Sequence, residues 1–166
     1  MRPTIKEIVD GMSWVLDERI APITEDKWAS SYLRSIRGLL KHISARSELE
    51  AEILWNDIVD QRDLLDQVAM LHSDDGAWQD LIAASRDALD QSWFDSDRYR
   101  SVPDMEAENL RYRELIAELV VVIHEQPTGL ADAERNALHE LVTSYLRRQL
   151  ARERPLYAEA FSGRPF

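Results

Sequence analysis

Histidine is the side chain best suited to proton transfer or metal ligation near neutral pH, and the chain has four: His42, His72, His124 and His139. A carboxylate-bridged di-iron bundle needs Glu-x-x-His pairs, which set two ligands on one helical face. None of these histidines has Glu three residues before it, and no His-x-x-x-His pair exists for a zincin-type site. If the last two helices form a hairpin about Thr128-Gly129, Glu118 comes level with His139, an arrangement suited to an ion pair. Asp95-Ser96-Asp97 and Glu106 occupy positions 1, 3 and 12 of an EF-hand loop, but the Gly needed at position 6 is Arg100. No Gly-x-Ser-x-Gly elbow and no Gly-rich phosphate loop occurs, so nucleophilic catalysis and nucleotide binding have no motif behind them. The absence of Cys removes disulfides, thiolate chemistry and sulfur-ligated zinc. Acidic pairs at helical spacing, such as Asp57 with Asp60, read as charge on a solvated face. No catalytic residue, cofactor or metal site is expected, and the balance leans away from an enzyme.

Charge bears on partners. The net charge of −11 argues against nucleic acid and anionic membrane, since both require a basic footprint. Residues 73–134 carry five basic and fifteen acidic side chains, while residues 135–166 carry six basic and three acidic ones. The basic end offsets the acidic middle, within the chain or across a dimer. No apolar run approaches the ~20 residues of a membrane helix, and the start lacks a signal peptide's apolar core. A cytoplasmic location is the expectation.

The elements that would position these groups are helices. Gly and Pro number five and six in 166 residues, and long stretches contain neither, as helix interiors require. Thr4 and Glu7 form a capping box for a helix over 4–20, with Ile5, Ile8, Val9, Met12, Val15 and Leu16 on one stripe. Asp26 caps a second helix carrying Trp28, Tyr32, Ile36, Leu39, Leu40 and Ile43. That stripe fails at 44–50, where Ser47 and Glu50 resemble another capping box. The pattern therefore predicts a break there, with one rod over 26–71 as the alternative. A third helix carries Leu54, Ile58, Leu65 and Val68. Ser73-Asp74-Asp75-Gly76 caps a fourth with Trp78, Leu81, Ile82, Ala88 and Leu89. Residues 93–102 read as loop.

A fifth helix over 103–125 carries Met105, Tyr112, Leu115, Ile116, Leu119 and Ile123. A sixth over 131–152 carries Leu138, Leu141, Val142, Tyr145 and Leu146, with Pro155 as its stop. The tail holds Tyr157, Phe161 and Phe166 and is expected to dock. With no strand signal and short connections, the expectation is one all-α domain over 1–166, an up-and-down antiparallel bundle of five to six helices.

Arg2-Pro3-Thr4, Glu7-Ile8-Val9, Val15-Leu16 and Ala21-Pro22 resemble the opening of an uncharacterised family of small helical bacterial proteins. Tyr32-Leu33-Arg34-Ser35-Ile36-Arg37 with Ile43-Ser44-Ala45-Arg46 resembles that family's second helix, and Arg154-Pro155-Leu156-Tyr157 its closing segment. The family is encoded near aminoglycoside-phosphotransferase-like and acyl-CoA-dehydrogenase-like enzymes. The resemblance implies an accessory role beside such enzymes and carries over no catalytic residue.

Five Trp residues are many for this length. Trp28 and Trp78 fit inward stripes and are expected in the core. Trp14 lies about 180° from its helix's stripe and Trp55 also lies off its own, so each covers a second internal contact or a partner. Leu119 to Ile123 places five apolar side chains in succession around a helix, whereas a surface helix needs one stripe. Trp14, Val120, Val121 and Val122 are therefore the candidate interface. The function expected is that of a non-enzymatic helical interaction or accessory protein, a homodimer or a partner's subunit. The alternative is a small-molecule-binding or enzymatic bundle with an aromatic-lined pocket.

Overall fold

Local capping chemistry starts each helix where the sequence places its hydroxyl and carboxylate residues. A computed structural model describes residues 2–92, 100–126 and 129–158, and every regular element among them is helical. Helix α1 (Ile5–Val15) opens on the Thr4–Glu7 capping box: Thr4 N–H donates to Glu7 Oε2 at 2.7 Å, and Glu7 N–H to Thr4 Oγ1 at 3.2 Å. It runs into a π-helical turn, Leu16–Ile20, and a 3-10 turn, Ala21–Ile23, that contains Pro22. Helix α2 (Lys27–Ala69) is capped by Asp26, whose carboxylate accepts from Ala29 N–H at 2.9 Å. Asp75 caps α3 (Gly76–Asp90). Helix α4 (Val102–Glu125) starts on a Ser101–Asp104 capping box one residue ahead of Pro103, and α5 spans Asp132–Ala158.

Two expectations about helix ends are corrected. The break at 44–50 does not occur, because α2 runs through it as one helix of 43 residues. Ser47 caps nothing and instead donates to the carbonyl of Ser44 within the helix at 2.8 Å. Ser47→Ala should therefore be neutral or raise stability by up to about 0.5 kcal/mol, as expected for a mid-helix serine. A loss of ~1 kcal/mol in urea melts, the value of a lost cap, would contradict the continuous helix. The second correction is Pro155, which lies inside α5 rather than ending it. A proline there removes one backbone donor, and the helix carries on for three residues.

The described residues fall into two compact units: 2–50 with 152–158, and 51–151. In the second, the later part of α2 joins α3, α4 and α5 as an up-and-down four-helix bundle. Trp78 at the start of α3 donates its indole N–H to the carbonyl of Gln126 at the end of α4 (3.3 Å), and Arg111 near the start of α4 donates to Ala88 O near the end of α3 (2.8 Å), so these helices run antiparallel. Ile58, Leu65, Val68, Trp78, Leu81, Tyr112, Ile116, Leu119, Leu138, Val142 and Tyr145 close its core. Leu141 and Leu146, expected inward, are exposed. They flank the narrow 138–142–145 stripe by about 60° or more on the helical wheel, and that stripe alone meets the core.

In the first unit, α1 and the early part of α2 form an antiparallel hairpin. Arg37 pairs with Asp17 at 2.5 Å. Val9, Leu33, Leu40 and Leu156 are its buried apolar residues. The end of α5 docks on α2: His42 Nδ1 donates to Leu156 O at 2.9 Å, and its ring stacks on Tyr157 at 6.3 Å. Trp28, expected in the core, is 71% exposed. It stands in the first turn of α2, where a two-helix hairpin has too few neighbours to enclose an indole. Phe161, Phe166 and the loop expected over 93–99 lie outside the described residues.

Candidate functional site

The hairpin leaves open most of the apolar surface that its sequence encodes. On α1 the exposed apolar residues besides Trp14 are Ile5, Ile8, Met12 and Val15; on the early part of α2 they are Trp28, Tyr32, Ile36, Leu39 and Ile43. Each set falls within about 80° of one helical face at 100° per residue. The buried residues lie beside these faces, with Val9 next to the α1 set and Leu33 and Leu40 next to the α2 set. Each apolar arc is thus wider than one neighbouring helix can cover. Between the helices runs a groove of about 440 Å³, lined only by Gly11, Met12, Val15, Leu16, Ile36 and Leu40.

The face is also electrically neutral. Residues 1–50 carry eight basic and eight acidic side chains, whereas 51–151 carry nine and twenty-one. The entire excess of negative charge therefore sits on the second unit.

That second unit holds a buried polar cluster that sequence reading missed. Asp57, assigned to a solvated face, is 1% exposed. Its Oδ2 accepts from Asn109 Nδ2 at 2.7 Å, Arg113 Nη2 at 2.8 Å and Gln61 Nε2 at 3.1 Å. Gln61 Nε2 also donates to the Tyr145 hydroxyl at 2.9 Å. Asp57 and Gln61 on α2, and Asn109 and Arg113 on α4, are both four residues apart and so share a face of their helix. That shared spacing was the available signal, although nothing in one sequence pairs α2 with α4. Asp60 lies beside the cluster's helix face and pairs with Arg148 Nε at 2.9 Å.

Burial pushes the Tyr145 hydroxyl up to about 12, against the hydrogen bond from Gln61, which favours the phenolate. Its folded-state value exceeds that of the unfolded chain, near 10. The neutral phenol's contribution is therefore complete below about pH 10 and is lost as pH rises toward 12. Tyr145→Phe should flatten the decline in stability between those values, read as urea midpoints across alkaline pH.

The residues proposed as an interface are scattered in environment. Trp14 is exposed on the side of α1 opposite the apolar stripe, with the Arg19 guanidinium 5.3 Å above its ring. Val122 is buried in the chain's own core and Val120 packs partly against it. Val121 is 50% exposed. Helical spacing puts Glu114, Glu118 and Glu125 on the same side of α4 as Val121, so it is an apolar residue in an acidic stripe. His139 is met edge-on by the His124 ring at 6.1 Å, and His124 Nδ1 donates to Val120 O at 2.7 Å. Glu106 lies in the second turn of α4, and Asp95-Ser96-Asp97 lies outside the described residues.

Among the described residues no three of His, Asp and Glu converge as a metal ion would require, and no helix is long and apolar enough to cross a membrane. A groove of about 650 Å³ in the second unit is lined by residues such as His72, Ser73, Gln79, Arg86 and Glu134 and by neither Trp nor Tyr. Three of its polar side chains are engaged locally: Ser73 Oγ donates to Gly129 O at 2.5 Å, Gln79 Nε2 to Ser73 O at 3.2 Å and Arg86 Nε to Ala69 O at 2.8 Å. No protein-family model, curated protein or solved structure matches the chain.

Proposed function

We propose that this chain is a non-enzymatic helical interaction protein of the cytoplasm whose N-terminal hairpin is a docking face for another polypeptide. One observation carries the reading: a continuous apolar face with Trp28 and Leu39 at 71% and 63% exposure, on a hairpin too small to cover it. Isolated apolar residues are normal on a surface, but a contiguous apolar face of this extent marks a binding site. Aromatic and large aliphatic anchors of this kind supply most of the energy of protein interfaces. On this face, the groove beside Gly11, Met12 and Ile36 offers no polar lining group to orient a small molecule, which favours a polypeptide occupant there. The family resemblance at the chain's start and end is compatible with an accessory role beside an enzyme.

The test is in-cell photo-crosslinking, with a photoreactive amino acid at Tyr32 on the face and at Glu134 on the second unit. A protein adduct from Tyr32 and none from Glu134 is the expected result. Absence of any protein adduct from Tyr32 would overturn the reading.

A further inference from the structure

The docking face has a pattern, an area and a charge that together select one occupant. We propose that it is covered by the same face of a second copy of this chain, so that two hairpins form an intermolecular four-helix bundle. The proposal rests on the docking reading above and names its partner.

The pattern comes first. Ile5, Ile8, Met12 and Val15 are spaced three, four and three residues apart; Tyr32, Ile36, Leu39 and Ile43 are spaced four, three and four. Alternating steps of three and four are the a and d positions of a heptad seam, which packs against other helical seams. A hairpin has two such seams and only one internal contact to bury them in. Two hairpins related by a two-fold axis bring four seams to a common centre, and such an isologous contact needs no second kind of surface. Gly11, at the groove, leaves open space where a larger residue would fill it, so a side chain from the facing hairpin can seat there.

Area is the second consideration. The exposed apolar residues of the two stripes sum to on the order of 1,000 Å², against the ~800 Å² each partner gives to a standard interface. The largest patch on an ordinary monomer is about 300–600 Å².

Charge is the third. Two copies each carry −11, and contact through residues 51–151 would set twelve excess negative charges against another twelve. Contact through residues 1–50 sets a neutral surface against a neutral surface and avoids most of this repulsion. A basic partner would find its complement on the second unit, not on the hairpin.

Sedimentation velocity of the full chain over a dilution series tests the proposal. The expected species is a dimer of twice 19.2 kDa. Leu39→Glu and Ile36→Glu should each weaken the dimer by at least about thirtyfold, the loss of one hot-spot residue, with helical circular dichroism retained. Leu39 is mostly exposed, so its variant keeps the test open if Ile36→Glu does not fold. Val121→Glu on α4 should leave the dimer intact. A full chain that is monomeric throughout overturns the proposal. So does a dimer that both hairpin variants leave unchanged, or a chain that dimerises only when residues 159–166 are removed, which would make its own C-terminus the occupant. A monomeric chain whose Tyr32 still crosslinks to a different protein sinks the dimer and leaves the docking reading standing.

Discussion

Asp57→Ala should lower the stability of the folded chain by roughly 3 kcal/mol. Two helices, α2 and α4, place donors around this one carboxylate, and removing it takes the acceptor from the buried Asn109 amide and breaks the ion pair with Arg113. Breaking a buried ion pair from one side costs about 3–5 kcal/mol because the remaining charge is uncompensated. The lower end applies here, since the Arg113 side chain is 38% exposed and can turn toward water. Asp57→Asn keeps an acceptor oxygen and the residue's volume, so it should cost less than Asp57→Ala. Urea denaturation of the two variants checks both the size and the order. A loss under about 0.5 kcal/mol for Asp57→Ala, typical of a surface position, would mean that the cluster does not hold α2 and α4 together.

Gly129→Ala should cost about 2–3 kcal/mol, although alanine is usually the safest of substitutions. A Cβ built on Gly129 falls 2.0 Å from Cδ1 and 2.4 Å from Nε1 of Trp78. The indole cannot step aside cheaply: it is fully buried, and its N–H is committed to Gln126 O. Overpacking of a filled core typically costs 1–3 kcal/mol, and contact with a rigid ring belongs at the upper end. The same substitution at Gly76, where nothing lies within 4 Å, should be neutral or favourable by up to ~1 kcal/mol because alanine is the better helix former. Thermal melts of the two variants give the sign directly, and Trp78 displacement should alter the near-ultraviolet circular dichroism of Gly129→Ala alone.

Helix type and most helix starts were legible in the sequence because they depend on neighbours within four residues: Thr4 with Glu7, Asp26 with Ala29, Asp75 with Ala77. The core of the second unit was legible too, since Trp78 with Leu81 and Ile82, Tyr112 with Ile116 and Leu119, and Leu138 with Val142 and Tyr145 each repeat at helical spacing within one helix. Ser47 to Glu50 was misread for an instructive reason. The apolar stripe of α2 is interrupted there, where its face presents Ser47 and Glu50, and it resumes on much the same face at Leu54 and Ile58 while the helix runs through. A periodicity argument cannot separate a helix that stops from one whose stripe is only interrupted. Trp28 and Asp57 failed in opposite directions for a related reason. Local pattern says which residues share a face, and only the assembled chain says whether anything covers that face. Trp28 shares an apolar face that nothing in its unit covers. Asp57 shares a polar one that Asn109 and Arg113 close over.

The segregation of charge between the two units has a colloidal consequence. A neutral, apolar hairpin is the kind of surface on which molecules coalesce without limit, since no long-range repulsion holds them apart. Here it is covalently attached to a body with a surplus of twelve carboxylates. That body repels other copies at distances of about a Debye length, ~8 Å at physiological ionic strength. Each molecule is thereby granted its sticky contact while indiscriminate clumping is suppressed. Adding salt removes the repulsion and leaves the apolar attraction, so concentrated electrolyte should push this protein toward precipitation rather than dissolve its aggregates.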